Sequence, residues 1–232
     1  MYLSSRIAAS RRMAAVIVGL GAIFVGAPSA QAYTYSSEAQ YASWTSGSYT
    51  IYNDVWGNSN PSQWLNINSV SSWNISTDQT GGGVKSYANT SFWPYYTIEN
   101  TGSVWVYFNT STPGDSTYDN SFDCWDNSGN EIMIWENWGG GAGPAGSEKY
   151  SNVSIAGANW NVYQGNVGHN VISFLRTSQR WSGTEYPDEL LNYAKSVGLI
   201  GGSTLNEVQF GFEVSSTDGW QTFTMNGYSA GW

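Results

Sequence analysis

The chain has 232 residues, of which 11% are charged and 16% are Phe, Trp or Tyr, and its formal net charge at pH 7 is −9. This acidic balance argues against the basic footprint of a nucleic-acid-binding protein and against a polybasic patch for anionic membranes. We therefore expect an uncharged partner. Thirteen tryptophans together with abundant Tyr, Asn, Ser and Gly suit a surface that stacks on sugars, although most of the aromatics should fill a β core.

The first 32 residues have the form of an export signal. Three arginines precede an apolar run over Met13–Val25 that is too short to span a bilayer, and Ala30-Gln31-Ala32 offers small residues for cleavage. An arginine pair also suits twin-arginine export. We predict a secretory signal peptide over 1–32, a single catalytic domain over 33–232, a secreted product and no membrane anchor.

Short alternating or apolar segments, separated by Gly, Asn, Ser and Pro, recur along the rest of the chain. The predicted strands are Ser48–Asp54, Trp64–Asn68, Tyr95–Ile98, Ser103–Phe108, Glu131–Trp135, Ser151–Ile155, Asn159–Gln164, Asn170–Leu175, Glu207–Val214 and Gln221–Ala230. One segment instead has helical spacing, beginning at Pro187 and ending before Gly198. The pattern predicts an all-β sandwich or jelly roll with one short helix.

Two of these strands each place one carboxylate behind an apolar face. In Glu131–Trp135, alternation directs Glu131 away from the neighbouring isoleucines, and in Glu207–Val214 it directs Glu213 away from the Val and Phe side chains. Two carboxylates held on rigid strands are what hydrolysis of a glycosidic bond requires. The pattern alone favours two solvated glutamates on exposed strand faces over a catalytic pair.

The chain contains one cysteine and one histidine. Cys124 lies in an apolar run and is expected to be a small buried side chain, and a single cysteine excludes an intrachain disulfide. His169 precedes a strand-like segment. One Cys and one His cannot form a usual zinc site, and no calcium-loop spacing is present, so we expect no metal and no cofactor.

Five segments in chain order resemble motifs of glycoside hydrolase family 12, the small jelly-roll endoglucanases and xyloglucanases. They are Asn53-Asp54-Val55-Trp56-Gly57, Glu131-Ile132-Met133-Ile134-Trp135, Gly143-Pro144-Ala145-Gly146-Ser147, Trp160-Asn161-Val162-Tyr163-Gln164-Gly165 and Gln209-Phe210-Gly211-Phe212-Glu213. The similarity spans nearly the whole chain after the leader. It implies a two-sheet β-jelly-roll with an open substrate groove on its concave face. It also implies a retaining endo-β-1,4-glucanase that cuts internal bonds of cellulose-type glucans.

The resemblance also implies roles for individual residues. Glu131 would be the nucleophile, Glu213 the acid/base, and Asp123, in Phe122-Asp123-Cys124-Trp125, would assist the nucleophile. The expected substrate-binding residues are Asp54, Trp56, Met133, Trp135 and Pro144. Asp54 stands where the family has Asn, and no role follows from the sequence for Glu136. Gly211 is expected to leave room for a sugar against its strand.

Several functions remain open at this point. A xyloglucanase or a mixed-linkage β-glucanase would use the same site, and a related jelly-roll xylanase would also use two glutamates. A non-catalytic carbohydrate-binding module needs aromatic residues but no pair of carboxylates. In each case the expected partner is a polysaccharide, here a β-glucan, with no nucleic acid or membrane involved, and we expect the protein to be a monomer.

Overall fold

The structure, a computed structural model, describes residues 32–57 and 62–232. Apart from Ala32, the predicted signal peptide lies outside these residues. The described part contains sixteen strands and one helix. They are β1 (Tyr35–Ser37), β2 (Ser43–Ser46), β3 (Tyr49–Tyr52), β4 (Ser62–Ser69), β5 (Ser72–Asp78), β6 (Ser86–Phe92), β7 (Tyr96–Thr97), β8 (Trp105–Ser111), β9 (Ser116–Asp126), β10 (Glu131–Gly139), β11 (Ser147–Ile155), β12 (Ala158–Asn166), β13 (Asn170–Arg176), β14 (Ser182–Glu185), α1 (Pro187–Ser196), β15 (Thr204–Thr217) and β16 (Gln221–Gly231).

The strands form two sheets, which confirms the predicted all-β, two-sheet architecture. The smaller sheet has the order β1-β4-β5-β16-β8-β14, and the larger has the order β11-β12-β13-β10-β9-β15-β6-β3-β2, with β7 paired to β15. Aromatic side chains from both sheets meet between them: the Trp73 and Phe212 rings lie 5.5 Å apart, and the Phe108 and Phe210 rings lie 4.7 Å apart. The main core is therefore the space between the two sheets.

The predicted alternation in β10 is confirmed. Ile132 and Ile134 are fully buried in the main core. Met133 and Trp135, on the other face, belong to a separate apolar cluster with residues of β13. The three central strands of the larger sheet are in register, since Met133 of β10 pairs with Asp123 of β9, which pairs with Gln209 of β15. This register sets the outward faces of three strands side by side.

All ten predicted strands overlap strands of the structure, but β1, β2, β5, β6, β9 and β14 were not predicted. Of these, β6 and β9 flank β15 and carry many polar residues, most of which are buried and several of which bond to other protein groups. In β9, for example, Asn120 Oδ1 accepts from Thr110 Oγ1 at 2.9 Å and its Nδ2 donates to Gly211 O at 2.6 Å. Polar side chains satisfied in this way do not give the apolar alternation that identifies a strand in a sequence.

The predicted helix is confirmed as α1. Pro187 opens it, and Gly198, with φ of 75°, follows its end, as the conformational freedom of glycine permits. Asp188 Oδ2 accepts hydrogen bonds from the backbone N–H groups of Ser103 and Val104 at 3.0 and 3.2 Å. These bonds attach the start of the helix to the segment that leads into β8.

Candidate active site

A cavity of about 770 Å³ lies over the outward face of β10, β9 and β15. Seven of the eight residues predicted for the site line it: Asp54, Trp56, Asp123, Glu131, Met133, Trp135 and Glu213. The eighth, Pro144, does not line it, although its neighbours Gly143 and Ala145 do. Residues far apart in the sequence are thus brought to one place by strand pairing.

Four carboxylates come together from three adjacent strands. Glu131 begins β10 and Glu213 lies on β15, with β9 between them. On β9, Asp119 pairs directly with Glu213, and Asp123 lies four residues further along the same face. Asp119 and Asp123 are only 3% and 6% exposed, so neither charge can be well solvated.

This crowding raises the pKa values of the acids. Burial, and then the charge of Glu131, raise the pKa of Glu213 to about 7. Burial is also the main cause that raises the pKa of Asp123 well above its usual range, with the charges of Glu131 and Glu213 adding to it. For Asp119 the pKa is raised by burial and then by Glu213. A carboxyl group near pKa 7 can hold a proton at neutral pH and release it during a reaction.

Glu131 has two hydrogen-bonding neighbours. Its Oε2 lies 2.5 Å from Nε2 of His169, and Asp123, when protonated, can donate a hydrogen bond to it, which is a further cause of the raised pKa of Asp123. Neither His169 nor Asp119 was predicted from the sequence as a site residue. Asp119 could have been found from its alternation with Asp123, but His169 is brought to Glu131 by the parallel pairing of β10 with β13, which no sequence pattern indicates.

Aromatic side chains form the walls of the cavity. Trp56 is 48% exposed and available for stacking, while Trp135 is almost fully buried, and its indole nitrogen has no hydrogen-bond partner in the protein. The segment carrying Trp56 is fixed, because the N–H groups of Trp56 and Gly57 both donate to Lys85 O at 2.9 Å. A Cβ atom at Gly57 would lie 2.2 Å from a backbone oxygen, so only glycine fits there.

Asp54, in the same segment, has a φ of 41°. Asn and Asp adopt this left-handed conformation more readily than most residues, which explains why an Asp can stand where the family has Asn. Burial raises the pKa of Asp54.

The expectation for Gly211 was wrong. A Cβ atom at this position would lie 1.9 Å from Ala88 O and 2.6 Å from Asn89 Cα. The glycine is therefore required by the close approach of β6, and it does not make room for a sugar.

Comparison with known proteins agrees with this fold. No family model matches the chain. Xyloglucan-specific endo-beta-1,4-glucanase A of Emericella nidulans is 31% identical over 223 residues, which cover 82% of this chain and 88% of the relative. The xyloglucanase domain of NopAA, a type three effector from Sinorhizobium fredii solved in complex with cellobiose, is 33% identical with a TM-score of 0.80, covering 85% of this chain and 98% of that domain.

A third similar protein is endoglucanase 3 of Trichoderma harzianum, from family GH12, which is 28% identical with a TM-score of 0.76. The alignment covers 87% of this chain and 98% of the endoglucanase. The jelly-roll fold and a cavity holding two glutamates define the protein as a glycoside hydrolase. With these relatives, the chain belongs to glycoside hydrolase family 12.

Proposed function

We propose that this protein is a secreted endo-β-1,4-glucanase that cuts internal bonds of a β-glucan with retention of configuration. Glu131 is its nucleophile and Glu213 its acid/base. The observation that carries the proposal is the shared cavity, in which Glu131 and Glu213 are held on strands separated only by β9. Family membership supports the same reaction class.

In the first step an oxygen of Glu131 attacks the anomeric carbon as the glycosidic C–O bond breaks. The departing sugar oxygen takes a proton from Glu213, whose raised pKa keeps that proton available near neutral pH. Asp123, whose raised pKa favours the protonated form, donates a hydrogen bond to Glu131 and orients the nucleophile. The products are a glycosyl ester on Glu131 and a released chain end.

In the second step water attacks the same carbon and Glu213 takes its proton. The ester bond to Glu131 breaks, and the sugar leaves with its original configuration. Esterified Glu131 carries no charge, and that charge is the second cause of the raised pKa of Glu213. Forming the intermediate therefore lowers the pKa of Glu213 and prepares it to act as a base.

Substrate binding is assigned to the walls of the cavity. Trp56 stacks on a sugar ring, Met133 and Trp135 line the floor beside Glu131, and Asp54 binds sugar hydroxyls. The loop carrying Pro144 borders the groove through its neighbours. No metal or cofactor takes part in the proposed reaction.

Xyloglucan is the substrate we favour among the β-1,4-glucans. Two of the similar proteins are named for activity on xyloglucan. In addition, a second cavity of about 400 Å³, walled by Tyr41, Tyr52 and Trp93, adjoins the first and shares Asp54, Glu207 and Gln209 with it. This extra space suits a branched chain. Unbranched cellulose-type and mixed-linkage glucans would use the same catalytic residues.

We further propose that residues 1–32 are removed on export and that residues 33–232 act as a single-domain monomer outside the cell. No helix in the described part of the chain is long and apolar enough to cross a membrane. Sequencing the amino terminus of the exported protein should give Tyr33 as the first residue.

A substrate panel tests the function. Purified protein would be incubated with xyloglucan, barley β-glucan, carboxymethylcellulose and xylan, and new reducing ends counted. We expect release from the first three, fastest from xyloglucan, with early products of intermediate length. Activity on xylan alone, or binding without cleavage of any polymer, would contradict the proposal.

A further inference from the structure

His169, the only histidine of the chain, lies at the end of a tight turn between β12 and β13. Val167 N donates to His169 O at 3.1 Å, and Gly168 between them has φ of 106°, a conformation that favours glycine. The next residue, Asn170, donates from Nδ2 to Asn130 Oδ1 at 2.9 Å. These bonds fix the His169 backbone beside the first residue of β10.

The imidazole lies between Glu131 and Trp125. Its Nε2 is 2.5 Å from Glu131 Oε2, and its ring centre is 5.1 Å from that of Trp125. The Glu131 side chain is 13% exposed and that of His169 34%. Because an ionised carboxylate can only accept hydrogen bonds, the Nε2–H group donates. This contact engages one of the two carboxylate oxygens of Glu131.

The charges around this contact are otherwise negative. Among the described residues that line the cavity, His169 is the only one that can become a cation. The other titratable side chains around Glu131 are Asp119, Asp123, Glu207, Glu213, Asp54 and the phenol Tyr87. A hydrogen bond donated to a carboxylate is stronger than one between neutral groups, so the contact offsets part of the repulsion between Glu131 and these acids.

We propose that His169 is a positioning residue for Glu131. Its Nε2–H group holds Oε2 and so orients the carboxylate for attack on the anomeric carbon. This inference rests on the proposed function, in which Glu131 is the nucleophile. When Oε1 bonds to the sugar, Glu131 loses its charge and the His169 bond weakens. It strengthens again when water releases the sugar.

Two substitutions of His169 distinguish the effect of its hydrogen-bond donor from the effect of its bulk. H169Q keeps an N–H donor at a similar reach, whereas H169L keeps the bulk and removes the donor. We expect H169L to lower kcat on the preferred glucan about tenfold, equivalent to about 1.4 kcal/mol, with little change in KM. H169Q should restore most of kcat.

Three results would overturn the inference. They are a wild-type kcat in H169L, an H169Q variant as slow as H169L, and a change confined to KM, which would make His169 a sugar contact. If H169L does not fold by circular dichroism, H169N replaces it. Its shorter amide cannot reach Oε2, and the comparison of H169Q with H169N then decides.

Covalent trapping of the glycosyl-enzyme distinguishes a failure of this inference from a failure of the proposed function. A 2-deoxy-2-fluoro aryl cellobioside with a good leaving group should label Glu131 in the wild type, as located by mass spectrometry. H169L should slow that labelling by the factor seen in kcat. A label on another residue would contradict the proposed function. A label on Glu131 formed at the wild-type rate in H169L would contradict only the role of His169.

Discussion

Strand β10 carries two glutamates, five residues apart, in opposite electrostatic surroundings. Glu131 faces the cavity among other carboxylates. Glu136 is fully buried and accepts two hydrogen bonds from Arg180, at 2.7 Å to Oε2 and 2.9 Å to Oε1. Glu185 and Arg176 complete this second group, with Arg176 Nη1 at 3.2 Å from Glu185 Oε2. We call the four residues the arginine cluster.

The arginine cluster contains two positive and two negative side chains, whereas the cavity group contains no Lys or Arg among its described lining residues. Even with matched charges, burial and then Glu136 raise the pKa of Glu185 well above its usual range, while Arg180 acts in the opposite direction. Among the described residues lining the cavity, no Lys or Arg offsets the repulsion between the acids. We infer that the paired acids stabilise the fold, whereas the unpaired acids lower the stability of the cavity region and are suited to proton transfer.

The same substitution at both glutamates gives the largest contrast. E131Q should lower turnover on soluble glucan by at least about 10⁴-fold, since the nucleophile is lost. Thermal stability should be unchanged or higher, because one of the repelling charges is removed. Activity and melting temperature would be measured on the same preparation. Turnover near that of the wild type would remove Glu131 from the mechanism.

E136Q is the matched control. It should leave the half-buried Arg180 without its full partner and lower the free energy of unfolding by roughly 3 kcal/mol, at the low end for a broken buried pair. At temperatures where the variant stays folded, kcat should be close to that of the wild type. Urea unfolding measures the change in the free energy of unfolding. A stability equal to that of the wild type would show that the cluster is not needed for the fold.

The pH dependence of stability gives a further test of the unpaired acids in the cavity. The pKa of Glu213 is raised from its usual 4.5 to about 7 in the folded protein, so the folded state binds this proton more tightly than the unfolded chain does. The stabilisation that comes from binding this proton at Glu213 is complete below pH 4.5 and is lost as pH rises through about 7. E213Q removes this dependence. It should gain stability over the wild type at pH 8.5, by about 1.4 kcal/mol for each unit of pKa shift, and little at pH 4. An equal difference at both pH values would contradict the raised pKa.

The smallest expected effect is at the rim of the cavity. W56A should raise KM for oligosaccharides, with a loss of about 1–3 kcal/mol by analogy with other aromatic stacking platforms, and should leave the melting temperature nearly unchanged because Trp56 is half exposed. Initial rates over a range of substrate concentrations measure the effect. An unchanged KM would give Trp56 a structural role only.

Much of the site could be predicted because it lies on strands with clear alternation. Period-two patterning gave the faces of Glu131 and Glu213, and the sequence motifs gave the segment around Trp56. The arginine cluster could not be predicted. Glu136 lies at an irregularity in the register between Trp135 and Asn137, and Arg180 reaches it from a loop.

The contact between His169 and Glu131 could not be predicted from the sequence for a similar reason. It depends on β10 and β13 running parallel, with two other strands between them in the chain. Sequence patterns identify strands and their faces, but the pairing of distant strands depends on the packing of the whole sheet.

Removal of the acid/base tests the central claim most directly. E213A should fail on polysaccharide, whose leaving group needs a proton, yet still glycosylate Glu131 from an aryl cello-oligosaccharide with a good leaving group. Because no base then activates water, added azide should restore turnover. The account predicts a β-glycosyl azide, the product with retained configuration. An α-glycosyl azide, or no rescue in a protein shown to be folded by circular dichroism, would contradict it.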